Sequence, residues 1–212
     1  MKSCLRFNPD CRLCPRLAGF LDQVSIQYPD YHARPVAAFG QLGSPLLIVG
    51  LAPGMHGANA TGRPFTGDYA GILLYETLYK YGFSNQPVST HRNDELQLTD
   101  CRITNAVKCL PPANKPISSE VNQCNAFLIN ELEDLLDGSV ILALGTIAHK
   151  AVVKALRKKQ VDYPFVHGAV HQIAGRLLVD SYHCSRYNIQ TRRLTADMFH
   201  HVFARIKILL HP

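Results

Sequence analysis

An amide at Asn105, an imidazole at His183, a carboxylate at Asp68 and an aromatic ring at Phe65 stand where strands should end or loops begin. With four spaced cysteines, they are the groups in this chain best placed to do chemistry. Asn105 lies in Ile103-Thr-Asn-Ala-Val-Lys-Cys109, among apolar neighbours. A buried amide offers one acceptor and two donors and costs free energy unless paired. That set can match the O4 and N3–H edge of a base such as uracil, while the commoner reading is an asparagine satisfying core backbone groups. His183 follows the apolar run that starts at Arg176 and so falls at the rim of a sheet. It cannot form a nucleophilic dyad with Cys184, because neighbours on an extended chain point to opposite faces.

The loop that must position these groups runs from Gly50 to Gly71 and holds six of the 14 glycines. It follows Pro45-Leu-Leu-Ile-Val49, which reads as a buried parallel strand. Glycine permits tight turns and close backbone approach to a ligand. Loops leaving the carboxyl ends of strands are where open α/β sheets bind ligands. The loop has neither the Gly-Lys-Ser/Thr ending of a P-loop nor the compact Gly-x-Gly-x-x-Gly turn of dinucleotide sites. It carries Gly54, His56, Phe65 after Pro64, and Asp68 at the start of a helical stretch. His56, being inside this loop, is counted with Gly54, Phe65 and Asn105 as a candidate for substrate contact.

Cys11-Arg-Leu-Cys14 heads an N-terminal helix, and Cys109 and Cys124 flank the rigid segment Leu110-Pro-Pro-Ala-Asn-Lys-Pro-Ile117. Four such thiolates suit zinc or a 4Fe-4S cluster, the wide second pair favouring the cluster. The alternative is that Cys109 and Cys124 are small buried hydrophobes. Cys4 is a possible substitute ligand, and Cys101 and Cys184 read as ordinary thiols. An odd set of seven cysteines behind an N-terminus with no apolar signal region argues against a disulfide framework. Cytoplasmic residence is the expectation.

Four segments read as strands: Leu46–Leu51, Ile103–Lys108, Val140–Leu144 and Arg176–Tyr182. Helical periodicity covers Tyr69–Tyr81, Ser119–Leu136, Thr146–Leu156 and Thr195–Leu210. Strands alternating with helices predict a three-layer α/β/α sandwich around a four-stranded, mainly parallel sheet. The 212 residues suit a single domain, and residues 84–100 are polar and read as a surface loop. No apolar run is long enough to span a membrane. The balance of 22 basic against 16 acidic residues, a net charge of +6, favours polyanionic partners such as nucleic acid. After His183 come Ser185, Arg186, Tyr187, Asn188 and Arg193, hydroxyl, amide and guanidinium groups suited to phosphates, with a tyrosine able to stack or wedge.

Gly50-Leu-Ala-Pro-Gly54 with Thr61-Gly-Arg-Pro-Phe-Thr-Gly-Asp68, then Thr104–Cys109, then His183–Thr195, together resemble the uracil-DNA glycosylase superfamily. They are most similar to its type B, or family 5, branch. The resemblance covers residue 11 to about residue 195, and its first motif is highly specific. It implies one glycosylase-like domain over residues 1–212 with an N-terminal iron–sulfur segment, and a 4Fe-4S cluster held by Cys11, Cys14, Cys109 and Cys124. It further implies that Phe65 stacks on a base flipped from the duplex, that Asn105 reads its edge and that His183 faces O2 of uracil. Leu51-Ala52 stands where better-known relatives place an acid, and the comparison gives the acidic role to Asp68 instead. Asp68 also fits the N-cap of the following helix, and one oxygen suffices for capping. The expected activity is excision of uracil, and of other deaminated bases such as hypoxanthine or xanthine, by a monomer acting on DNA. The alternatives are an inactive nucleic-acid binder of the same fold and an iron–sulfur redox protein. The chain departs from the family in His183-Cys-Ser185, in Thr191-Arg-Arg193 and at Ala60, where proline, glycine and arginine respectively are more frequent.

Overall fold

The computed structural model describes residues 7–211, so Cys4 lies outside the described residues. In chain order the elements are α1 (Pro15–Gln27), β1 (Phe39–Gly40), β2 (Leu46–Gly50), α2 (Ala58–Thr61), α3 (Tyr69–Lys80), β3 (Cys101–Asn105) and α4 (Ser118–Glu133). They continue with β4 (Val140–Leu144), α5 (Thr146–Ala155), β5 (Val170–Ile173), β6 (Arg176–Ser181), α6 (Arg186–Gln190) and α7 (Ala196–Leu210).

One six-stranded sheet runs β1-β3-β2-β4-β6-β5. Its four inner strands are parallel and correspond to the four expected from sequence; the two edges pair antiparallel. Those edges are absent from the sequence reading for physical reasons. β1 is two residues long, and β5, Val170-His-Gln-Ile173, is largely half-buried and mixes polar with apolar residues. β5 joins β6 through Ala174 and Gly175, with φ of 48° and 77°, a tight turn whose only marker in the sequence is one glycine.

Alternation along β2 divides the core. Leu46 and Ile48 face α3 and α7, contributing with Leu74, Tyr75, Phe199 and Phe203 to one apolar cluster. Leu47 and Val49 face the opposite way and pack with Leu128 and Leu132 of α4 and with Ala148 and Val152 of α5. Both faces are covered, which is why every residue of β2 and β4 is buried. Each fully buried large apolar side chain contributes about 1.5–3 kcal/mol by leaving water. A third cluster seats α1, through Leu17, Leu21 and Val24, against Val107, Leu110 and Phe127. Arg16 of α1 donates to Glu120 at 2.7 Å, and Glu120 accepts the Ile117 amide at 2.9 Å, tying the starts of α1 and α4 together.

The parallel registers place the exits of four strands on one edge: Gly50 pairs with Asn105 across β2 and β3, and Leu144 with Ser181 across β4 and β6. From β2 the chain leaves toward α3 on one face; from β4 it leaves toward α5 on the other. A crevice therefore opens between them, and the glycine-rich loop fills one side of it.

Candidate active site

At that crevice lies a cavity of about 480 Å³ whose lining includes Gly54, Phe65, Asp68, Asn105 and His183. These residues are delivered by the loop after β2, the end of β3 and the end of β6. Gly50 makes their meeting possible. A Cβ there would stand 2.4 Å from Asn105 Oδ1 and 2.6 Å from Phe65 Cζ, so only glycine lets the amide and ring close over β2.

Asn105 is 3% exposed, and its Oδ1 has no hydrogen-bond partner within the protein. Buried polar atoms are normally satisfied, so an amide left open beside a cavity is available to a ligand. His183 is the second such group. Its Nδ1 is buried without a partner, and burial pushes the imidazole pKa down to about 4, leaving the ring neutral at pH 7. The Phe65 ring lies 26° from parallel to the imidazole, with centroids 5.9 Å apart.

Asp68 is the N-cap of α3: its Oδ1 accepts the Gly71 amide at 3.0 Å. Gly57 carries no side chain where Asp68 packs, since a Cβ there would lie 2.6 Å from Oδ2. Burial raises the Asp68 pKa, while bonds from the Gly71 and Ala70 amides pull it back down. Capping occupies one oxygen and leaves the carboxylate in the cavity wall.

The remaining candidates divide by environment. Ser185 caps α6 by accepting the Asn188 amide at 3.4 Å, and Asn188 Nδ2 donates to the His183 carbonyl at 2.8 Å. Both therefore shape the turn that carries His183. Arg186 lines the cavity mouth with its guanidinium 5.9 Å from the centre of the Tyr69 ring, and Arg193 lies 4.8 Å over Tyr182. Tyr187 projects outward, 70% exposed. His56 is exposed, with Nδ1 2.8 Å from the Tyr31 hydroxyl, and it is not among the cavity-lining residues.

The four spaced cysteines gather in the third apolar cluster, Cys109 and Cys124 buried, Cys11 and Cys14 half-buried beside them. Cys14 is the N-cap of α1, ahead of Pro15. Burial, with the neighbouring thiols, pushes Cys109 up to about 12. Burial pushes Cys124 up to about 11 against the pull of Lys108, whose amide donates to Cys124 Sγ at 3.2 Å. Thiols that oppose one another's ionisation in an apolar setting fit a multivalent cationic group, which would offset that cost. A single tetrahedral ion would bring the sulfurs to within roughly 3.8 Å of each other, from metal–sulfur bonds of about 2.3 Å. No three of them come within 4.8 Å of one another. Among the described residues the group that does close to 4.8 Å is His149, His171 and Asp180. Both ring nitrogens of His149 are already engaged there, by Asp180 at 2.7 Å and the Tyr163 carbonyl at 2.8 Å, and the trio knits β5, β6 and α5.

Residues 37–207 match the family model described as Uracil DNA glycosylase superfamily. The chain belongs to that superfamily. It is 43% identical over 205 residues to a type-5 uracil-DNA glycosylase of Thermus thermophilus, covering 94% of this chain and 93% of that protein. It is 40% identical over 200 residues to the type-5 uracil-DNA glycosylase of Pyrobaculum aerophilum, covering 92% and 87%. A type-4 uracil-DNA glycosylase of the same organism is 35% identical over 148 residues, 68% of this chain and 67% of the relative. Among the cavity's lining residues, the sequence reading passed over Leu144, Gly145, Thr146, Ile147 and Asn114. The signal was available: Gly145-Thr146 follows β4 and so leaves the sheet on the same edge as the other site segments.

Proposed function

We propose that the cavity receives a uracil flipped out of duplex DNA and that the chain hydrolyses its N-glycosyl bond, opening base excision repair. The enzyme is a uracil-DNA glycosylase, a hydrolase of N-glycosyl bonds. One observation carries the reading: an open amide, an unpartnered neutral imidazole, a carboxylate and an aromatic ring line a single cavity. Its volume lies within the range of small-molecule sites, and hypoxanthine and xanthine belong to the same proposal as further substrates.

Cleavage separates charge. The C1′–N1 bond breaks with its electron pair passing to uracil, the sugar becomes cationic, and water adds at C1′, its proton balancing the departing base. Asp68 stabilises the sugar cation or orients the water. His183, neutral at pH 7, donates a hydrogen bond to O2 and so stabilises the uracil anion without transferring a proton. Asn105 pairs with the O4 and N3–H edge, and Phe65 stacks on the ring. Base extrusion is required because the bond is inaccessible within the stack. Arg186, Tyr187 and Arg193 provide contacts to the flanking backbone, with the net charge of +6 adding long-range attraction.

Cys11, Cys14, Cys109 and Cys124 hold a 4Fe-4S cluster in this reading. When bound, it supplies a structural crosslink between α1 and the loop from β3 to α4. The whole chain then acts as one domain and as a monomer. Incubating the protein with a uracil-containing duplex and treating with alkali tests the activity: strand scission at the uracil position is expected, and intact strands would refute it.

A further inference from the structure

Phe65 has a φ of 56°, in the left-handed region that a bulky side chain disfavours. Something outside the tripeptide must hold it, and the structure supplies that hold from residues 84–100, the segment read from sequence as a surface loop. Arg63, on one side of Phe65, is buried together with Asp94, their side chains 5% and 7% exposed. Its Nη2 donates to both Asp94 oxygens at 2.7 Å and to Ser89 Oγ at 2.6 Å, while its Nε donates to Thr66 Oγ1 at 2.9 Å. Thr66, on the other side of Phe65, shares a hydrogen bond with Ser89 at 2.6 Å. Between them, the Tyr75 hydroxyl donates to the Pro64 carbonyl at 2.7 Å. Asp94 also accepts the Thr90 amide at 2.7 Å and the Leu96 amide at 3.2 Å, so one carboxylate orders its own loop and grips Arg63.

We infer that Ser89 and Asp94 are positioning residues for Phe65, clamping both flanks of its strained backbone so that the ring is fixed in the cavity wall before a base arrives. The inference rests on the proposed stacking of the extruded base on Phe65. A buried ion pair is a poor source of net stability, but it specifies one arrangement among several. Here that arrangement is a ring plane. A platform fixed in advance avoids ordering it during base capture, and small misplacements of such a group have large effects on rate.

The test combines Asp94→Asn, which keeps shape and removes charge, with Ser89→Ala, which strands no charge. Each is made alone and in a Phe65→Ala background. Single-turnover excision of uracil should fall about 10- to 100-fold in Asp94→Asn, with a smaller loss in Ser89→Ala. Affinity for a duplex carrying an abasic-site analogue, which presents no base to stack, should stay within about twofold. In the Phe65→Ala background both substitutions should cost almost nothing further. Wild-type excision by variants that melt normally would overturn the inference. So would losses that multiply unchanged without the Phe65 ring, because those would mark a general structural role. If Asp94→Asn does not fold, Ser89→Ala decides by the same coupling. An unaltered rate in Phe65→Ala alone would instead overturn the stacking on which the clamp depends.

Discussion

Asp68 carries two duties on one carboxylate, and substitution can separate them. Asparagine caps helices as well as aspartate does, so Asp68→Asn should change stability by less than about 0.5 kcal/mol. It should lower excision about 100- to 1,000-fold with DNA affinity retained, measured by single-turnover kinetics beside a binding titration. The titration of the site follows from burial. Burial raises the Asp68 pKa, so its carboxylate is lost to protonation at a higher pH than a free aspartate would require. His183, pushed down to about 4, remains neutral through the usual histidine range. His183 should therefore contribute no break in the usual histidine range, and the rate should fall on its acid side as Asp68 protonates; the Asp68→Asn variant should lack that limb. That these four residues would share one cavity was legible because Asp68, Phe65, Asn105 and His183 all stand at the ends of periodic segments. His56 lies outside this cavity, its ring edge-on to Tyr28 and Tyr31, residues remote in sequence. Ser185 and Asn188, read from sequence as phosphate ligands, also bond within their own turn.

Among the elements, the four inner strands and the long helices follow from apolar periodicity to within a few residues, because packing against both sheet faces fixes that pattern. The edges did not follow, since a two-residue strand has no period and a half-buried one alternates imperfectly. The Asp94 clamp was hidden for a related reason: its value lies in Arg63, and polar residues between turns carry no mark of a distant partner. The pairing of β2 and β3 at Gly50 and Asn105 gives the sharpest test of how elements build the site. Gly50→Ala would set a methyl against Asn105 and Phe65 without lengthening or breaking either strand. Excision should fall by at least about 100-fold while the melting temperature drops by only several degrees, as seen by kinetics and calorimetry.

Over the whole molecule, the sheet brings segments more than a hundred residues apart to one edge, and the cysteine cluster seats α1 against the loop that follows β3. Cysteine spacing revealed the second feature, with the wide Cys109–Cys124 pair favouring an iron–sulfur cluster over zinc, and the structure gathers all four thiols in one apolar cluster. Protein purified without oxygen should show broad absorbance at about 400 nm. Chelation or Cys109→Ser should remove the band and expose residues 15–27 and 111–117 to limited proteolysis; colourless protein with zinc bound would contradict the assignment. Beneath every one of these effects is the claim that the cavity at the strand ends is where an extruded base is read. A crystal structure with a duplex containing an uncleavable deoxyuridine analogue measures this directly. The base should lie on Phe65 with its edge about 2.7–3.2 Å from the Asn105 amide and O2 toward His183. A base still stacked in the duplex, or held elsewhere on the protein with this cavity empty, would contradict the account.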